Sequence, residues 1–408
     1  MMSSERVSEG YKQTKVGVIP KDWSKYELKD LIEITSKKFN PKNSNEEKKC
    51  IELEHLSQQT GKLLGFTNSK KQESTKNVFE KDNVLFGKLR PYLKKYWKAD
   101  FDGVCSSEIW VLNGKKLDND FLFQFIQTNK FNQIANVSSG SKMPRADWKY
   151  MAEVPFVVPP LKEQQKIAEI LTTWDNAISC HVELIKAKEQ LKKGLMQKLL
   201  SGEVRFSGFD EEWEEIRLGD IARRITSKNT DNSIDMVFSN SAINGIVIQN
   251  EFFDKDIANR DNLTGYYIVK SDDFVYNPRI SKHAPSGPIN RNKYEFLGIV
   301  SPIYTVFHIN NNEIIDYFEY FFSSTFWFRY MKAIANYGAR HDRMNIINSN
   351  FMKMPIPYPS KQEQKKIAQA LSTADKDIEL LKNELKSLKE QKKGLMQKLL
   401  TGEVRVKV

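Results

Sequence analysis

The side chains best placed to do chemistry in this sequence are cations, amides and aromatics gathered in loops. In the first half they are Lys88, Arg90, Tyr92, Lys94 and Lys95 in GKLRPYLKKYW, followed by Ser141, Lys142, Arg145 and Trp148 in SSGSKMPRADWKY. In the second half they are Arg279, Lys282, His283, Arg291, Asn292 and Lys293, then Arg340, His341, Arg343 and Asn345 in NYGARHDRMN. Arginine can bridge O6 and N7 of guanine, asparagine can bridge adenine, and lysine mostly neutralises phosphate. Taken singly, each of these is equally an ordinary exposed loop residue. The two late loops weigh more as a pair, because both carry glycine and arginine at the same place in a duplicated plan.

Constellations for turnover are missing from the sequence. No GxxxxGK[ST] loop exists to cradle a triphosphate, and no glycine-rich fingerprint follows a strand to hold a dinucleotide or S-adenosylmethionine. Asn277-Pro278-Arg279 lacks the second proline and the aromatic of an amino-methyltransferase tetrapeptide. Glu27-x-Lys29 and Glu384-x-Lys386 match only the tail of a degenerate nuclease motif, and the second lies on a coiled-coil pattern. No HExxH, no GxSxG and no cysteine with an evident base is present. The 5 histidines are scattered and none lies near one of the 3 cysteines at ligand spacing, so no metal site is expected, and Cys50, Cys105 and Cys180 fit a reducing cytoplasm.

The elements that must hold the loops show themselves by repetition. KKGLMQKLLSGEVR, Lys192 to Arg205, returns as KKGLMQKLLTGEVR, Lys392 to Arg405, at a constant offset of 200. Each copy reads as a long helix. In the second, Leu371, Ala374, Ile378, Leu381, Leu385, Leu388, Leu395 and Leu399 alternate at three and four, with Lys392 filling one slot; this is a coiled-coil seam. The first keeps the register less well through Leu171, Trp174, Ile178, His181, Ile185, Lys188, Lys192, Leu195 and Leu199. Lysines such as Lys186, Lys188, Lys192 and Lys193 read as solvated flanks. Ser360 with Glu363 predicts a capping box, Pro160 suits a first turn, and Gly202 and Gly402 suit left-handed caps. Forty residues of helix reach about 60 Å, and two such stripes are most simply buried on each other.

The chain therefore divides into globule 1–158, helix 159–205, globule 206–358 and helix 359–408. The globules share a beginning, around Trp23 and Trp213, and a proline-rich exit, Pro155–Pro160 and Pro355–Pro359, expected to act as a stiff joint. Both read as mixed α/β. Strands are expected at Lys49–Leu53, Asn83–Phe86, Glu108–Leu112, Asp272–Tyr276 and Ile299–Phe307, with helices at Phe121–Gln127 and Tyr317–Tyr330. At 408 residues with 40% hydrophobic content the chain can build such cores, and no apolar run or hydrophobic leader calls for a membrane. Net charge is +11, distributed as +7 for residues 1–159, +2 for 160–206, −3 for 207–359 and +5 for 360–408. An acidic partner is implied, but in the second globule it must be met by local patches.

The paired signatures PLKEQQKIA with GLMQKLLSGEVR, and PSKQEQKKIA with GLMQKLLTGEVR, resemble the specificity subunit of type I restriction–modification systems. The likeness covers essentially the whole chain. It implies an α/β (α+β) fold with two target recognition domains separated by two long helices in an antiparallel coiled coil, duplicated about a pseudo-twofold. It implies that each domain reads one half of a split sequence in double-stranded DNA, and that the rods set the gap. Two modification subunits would dock and methylate adenine, and restriction subunits would join. S-adenosylmethionine, ATP and Mg would then be held by those partners and none by this chain, in the cytoplasm. A coiled-coil adaptor that binds only protein is the alternative from another class.

Overall fold

The computed structural model describes residues 9–14, 17–137, 142–252, 263–336 and 342–408. The chain forms two compact units, Met1–Glu183 with Asn383–Val408, and Leu184–Lys382. The long helices, Leu161–Ser201 and Lys361–Thr401, each contribute one part to each unit. Among the described residues no helix is long and apolar enough to cross a membrane.

The first unit is built on an antiparallel sheet in the order Tyr96–Lys98, Val84–Gly87, Ile109–Gly114, Ile32–Ile34. Its central strand reads VLFG, an unbroken apolar run, because both faces are covered. Successive side chains point to opposite faces. Val84 and Phe86 thus join one core with Trp110 and Leu112, while Leu85 joins another with Ile109 and Val111. A second sheet of five short strands includes a parallel pairing of Gly103–Cys105 with Lys49–Ile51. The three cysteines are free; burial pushes the Cys50 thiol up to about 12 and raises that of Cys105 as well.

The second unit repeats the main sheet in the same order: Ile289–Arg291, Phe274–Tyr276, Thr305–Ile309, Ala222–Ile225. Phe274 and Tyr276 face one core with Phe307 and Ile309, and Val275 faces the other with Val306. Two expected elements are each split. The stretch Ile299–Phe307 forms two strands, Gly298–Val300 and Thr305–Ile309, because Pro302 lies in the turn between them. Tyr317–Tyr330 forms the helices Ile315–Ser323 and Phe328–Ile334. Ser324 breaks them by turning extended and folding its hydroxyl onto Phe321 O.

The proline-rich exits, expected as stiff joints, are short strands. Pro155–Val158 pairs with Ser24–Glu27, and Pro355–Tyr358 pairs with Glu214–Arg217, so each globule is zipped shut where the chain enters and leaves. Each rod then becomes part of a core. Ile167, Ala168, Leu171 and Leu399 pack with Trp23, Phe121 and Phe156 in the first unit. Ile367, Ala368, Leu371, Leu199 and Leu200 pack with Phe318, Phe351 and Ile356 in the second. Within each unit the helical segments are antiparallel, since Glu163, Asp175 and His181 meet Arg405, Lys392 and Glu384 in reverse order. Gly202 and Gly402 end the helices at φ +74° and +76°. A Cβ at Gly402 would also lie 2.6 Å from Pro20, so glycine is required twice over there.

Of the seam residues named from the sequence, Leu171, Ile185, Leu199, Leu371, Ile378 and Leu399 are buried. Trp174, Ile178, Leu195, Leu381, Leu385, Leu388 and Leu395 are half-buried. Two readings of the rods need correction. Ser360 Oγ accepts from the Glu363 amide, but the Glu363 carboxylate goes to Arg205 and Trp213, so the capping box stays half made. Lys192 and Lys392, which the heptad places in the seam and their charge suggests as solvated flanks, lie in the seam, and Lys392 is only 7% exposed.

Candidate nucleic-acid interface

In both units the loop that leaves the central strand is clipped to the late loop by backbone hydrogen bonds. In the first, the Ala146 amide donates to Lys88 O (2.9 Å) and Arg90 N to Pro144 O (2.8 Å), setting Leu89 opposite Arg145. In the second, Met344 N donates to Pro278 O (2.9 Å) and Ile280 N to Asp342 O (3.0 Å), setting Arg279 opposite Arg343. Segments more than fifty residues apart are thus made one surface, by the same device in each unit. The first clip continues into a short 3-10 turn, Pro91–Leu93. It is flanked by Arg90 and Lys94 at φ 51° and 49°, a left-handed conformation that non-glycine residues seldom adopt. That turn holds Tyr92 outward at 52% exposure.

The named residues then fall into three groups. Arg90, Tyr92, Lys142, Arg279, Lys282, His283 and Asn345 are exposed on or beside the clips. Arg145 is exposed too, but its guanidinium is held by Glu108 through two bonds of 3.0 and 3.2 Å, which also raise its pKa. Lys88, Lys94, Lys95, Trp148 and Arg343 are half-buried. Of these, Lys95 donates to Leu53 O, Trp148 packs edge-on against Trp110, and Arg343 lies 3.7 Å from Asp342.

The third group is committed to the fold. Asn292 is sealed from solvent, its amide donating to Lys270 O and its carbonyl accepting from Tyr294 N, so it offers nothing to a ligand. Arg291 is taken by Asp272, Asp316 and Glu319; Lys293 also pairs with Glu319, but its side chain stays 68% exposed and so remains open to an outside anion. Sequence alone does not separate these from their neighbours, because a basic residue next to a strand looks the same whether its partner is an acid of the fold or an outside anion. Ser141, Arg340 and His341 lie outside the described residues.

The polar contacts that fix the rods are not foreseen in the sequence: Glu363 enters there only as a cap, Lys192 and Lys392 only as lysines of the long helices, and Glu163, Asp175 and Asp375 not at all. Glu163, 2% exposed, accepts from Trp23 Nε1 (3.0 Å) and from Arg405 Nε and Nη2 (2.7 and 2.9 Å). Glu363, 1% exposed, accepts in the same way from Trp213 (3.0 Å) and Arg205 (2.9 and 2.8 Å). A buried carboxylate is tolerable only when its lone pairs are filled, and these two are filled by identical sets. Gln164 and Gln364 beside them donate to Pro159 O and Pro359 O, fastening each helix start to the strand before it. Further along, Lys392 Nζ meets Asp175 (2.6 Å), whose other oxygen accepts from Gln124 (2.9 Å). Lys192 meets Asp375, whose other oxygen accepts from Tyr320 OH (2.8 Å). The available signal was the constant offset of 200 applied to polar residues as well as to leucines.

A model of the type I restriction modification DNA specificity domain matches residues 20–190 and again residues 210–390. The type I restriction enzyme EcoDI specificity subunit of Escherichia coli is 31% identical over 195 residues, which is 46% of this chain and 43% of that protein. The type I restriction enzyme MjaVIII specificity subunit of Methanocaldococcus jannaschii is 26% identical over 332 residues, 75% of each chain. A solved chain from work on complex assembly and conformational transition of the type I R-M system superposes with a TM-score of 0.60 over 95% of this chain and 99% of that one. At 17% identity that last likeness is one of fold. Matched twice, over most of its length and in both units, this chain belongs to the type I restriction–modification DNA specificity family.

Proposed function

We infer that this chain is the DNA sequence-specificity subunit of a type I restriction–modification complex and performs no bond chemistry of its own. The observation that carries the reading is the duplicated clip, which places Arg90 and Tyr92 in one unit and Arg279, Lys282 and His283 in the other on equivalent, preorganised surfaces. Residues 1–158 and 206–358 are the two readers, each taking one half of a bipartite duplex target. Residues 159–205 and 359–408 are the rods that set the gap between half-sites.

Exposed lysines on the clips neutralise phosphates, while arginines and Asn345 address base edges. Two modification subunits dock on the chain and methylate adenine in the target, supplying the S-adenosylmethionine site. Restriction subunits add ATP- and Mg-dependent cleavage. The complex works where the genome is, in the cytoplasm. The test is duplex binding by the chain assembled with its modification subunits, over a range of salt. Affinity for a target duplex falling linearly on logarithmic axes, with a sequence preference over competitor, is expected. Salt-independent association with protein partners and no preference among duplexes would favour the coiled-coil adaptor.

A further inference from the structure

We propose that each unit reads DNA with a hairpin tip as well as with its clip, residues 58–60 in the first and 242–244 in the second, and that both tips take A·T base pairs. The proposal rests on the DNA-reading function above and deepens it, naming further specificity residues and the base pair they select. In the first unit Leu56 and Leu63 form an antiparallel bridge, and Ser57 N donates to Lys62 O (3.0 Å), so residues 58–61 cap a tight hairpin. In the second, Phe238–Ser241 pairs with Gly245–Ile248 and leaves Ala242, Ile243 and Asn244 at the tip.

Both hairpins dock at one place in the duplicated sheet, the start of the edge strand beside the central one. Gln58 bridges Lys95, Gln59 N donates to Lys94 O (2.9 Å), and Gln59 O accepts from Tyr96 OH (3.0 Å). Lys94 closes the 3-10 turn of the first clip, so the tip abuts the turn that carries Tyr92. In the second unit Asn240, 2% exposed, donates to Pro288 O (3.1 Å), and Asn290 donates to Ser241 O (3.2 Å). Asn277 then ties that hairpin to its clip: its amide donates to Asn240 O and its carbonyl accepts from Arg279 N, both at 3.0 Å. Different atoms make the ties in the two units, yet the arrangement is the same.

The backbone of each tip is held while its side chains face solvent. Gln59 keeps φ 63°, which a residue other than glycine adopts only at a cost, and a Cβ at Gly61 would lie 2.6 Å from the Phe123 ring. Ser241 Oγ accepts from the amides of Ile243 and Asn244 (3.3 and 3.2 Å). Gln58, Gln59, Thr60, Ala242 and Asn244 are exposed, and Ile243 is 69% exposed. Such tips are preorganised for contact. Neither carries a charged residue, so neither is suited to neutralise phosphate or to bridge guanine. Glutamine and asparagine bridge N6 and N7 of adenine, and alanine, isoleucine and the threonine methyl suit the thymine methyl. The Thr60 hydroxyl is engaged by Ser57, which leaves its methyl as the group on offer. The adenine amino group and the thymine methyl both lie in the major groove of an A·T pair and are missing from a G·C pair.

The experiment uses the full chain assembled with its modification subunits, in competition binding against duplexes that vary every position of its methylation motif. Gln58→Ala with Gln59→Gly removes both amides, and glycine accepts φ 63° freely, so the hairpin keeps its shape. This variant should lose roughly tenfold of its preference at an A·T pair of one half-site, with the other half-site unaltered. Ile243→Ser with Asn244→Ser should do the same in the other half-site alone. Gln59→Arg should move the preference at its position from A·T to G·C, a change that a merely structural loop would not give. Unchanged preference in either double variant, an even loss across all duplexes, or an effect confined to G·C pairs overturns the proposal. If the unaltered complex prefers no sequence, the DNA-reading function itself fails and this inference falls with it.

Discussion

At the scale of single residues, the structure sorts cations by where their counter-charge lies. Arg291 has three acids of its own fold within reach, whereas Arg279 is exposed opposite a second arginine across the clip. Like charges placed cross-strand destabilise a fold that has no outside anion to receive them. Arg279→Ala should therefore relax discrimination at one base of one half-site, by about 1–3 kcal/mol for a bidentate contact. Lys282→Ala should weaken all duplexes evenly and lower the salt slope by about one. Competition binding against single-base variants separates the two effects.

The clamps give further predictions at this scale. Glu363→Ala leaves Trp213 and Arg205 without their acceptor, and should cost roughly 1–3 kcal/mol in denaturant unfolding, with Glu363→Gln intermediate. In the other clamp the Arg405 guanidinium holds the Asp22 carboxyl below its ordinary value of 3.8. A depressed carboxyl stabilises the fold above its unfolded value and stops doing so as pH falls through the folded one. The pair is partly exposed, so Asp22→Asn should lower stability at pH 7 by less than about 1 kcal/mol. Thermal melts of variant and parent should converge in strongly acidic solution, well under pH 3.8.

At the scale of elements, the sequence was most legible where one periodicity governs. The long helices announce themselves through heptads and glycine caps, and the central strands through short apolar runs with turn residues on either side. Legibility falls where a tertiary partner decides. The exits Pro155–Val158 and Pro355–Tyr358 look like breakers, but their prolines are accommodated in two-stranded pairs whose partners lie more than a hundred residues away. The aromatic stretch Tyr317–Tyr330 reads as one apolar helix because Ser324 is a weak local signal, decisive only once its hydroxyl finds Phe321 O. The candidate interface was legible as two loops in each globule, while the clip joining them was not, since nothing local marks a backbone pairing between distant segments. The rods themselves can be tested by insertion. One extra heptad in either long helix should lengthen or abolish the gap requirement while leaving both half-sites unchanged, read as the methylated motif of the altered chain.

At the scale of the whole molecule, duplication explains the charge distribution. The first globule carries +7 and the second −3, yet both present cations on the same clip. Overall charge is thus free to drift between the copies while the local surface is kept. What the copies share most closely is the polar hardware of the rods: the Glu–Arg clamps and the Lys–Asp pairs recur at an offset of 200 in both units, with Trp23 and Trp213 completing the clamps. The surfaces they carry differ in residue and in loop length, as the proposed reading of two different half-sites requires. The most direct measurement is a genome-wide map of adenine methylation in cells carrying this chain with its modification subunits. Substitutions Arg279→Ala and Lys282→Ala are mapped alongside the parent. The account predicts one motif of two specific blocks separated by a fixed, unspecific gap, with Arg279→Ala degrading one block and sparing the other, and Lys282→Ala leaving the motif unchanged. A continuous motif without a gap, or loss of both blocks together in a chain that still assembles, would contradict it.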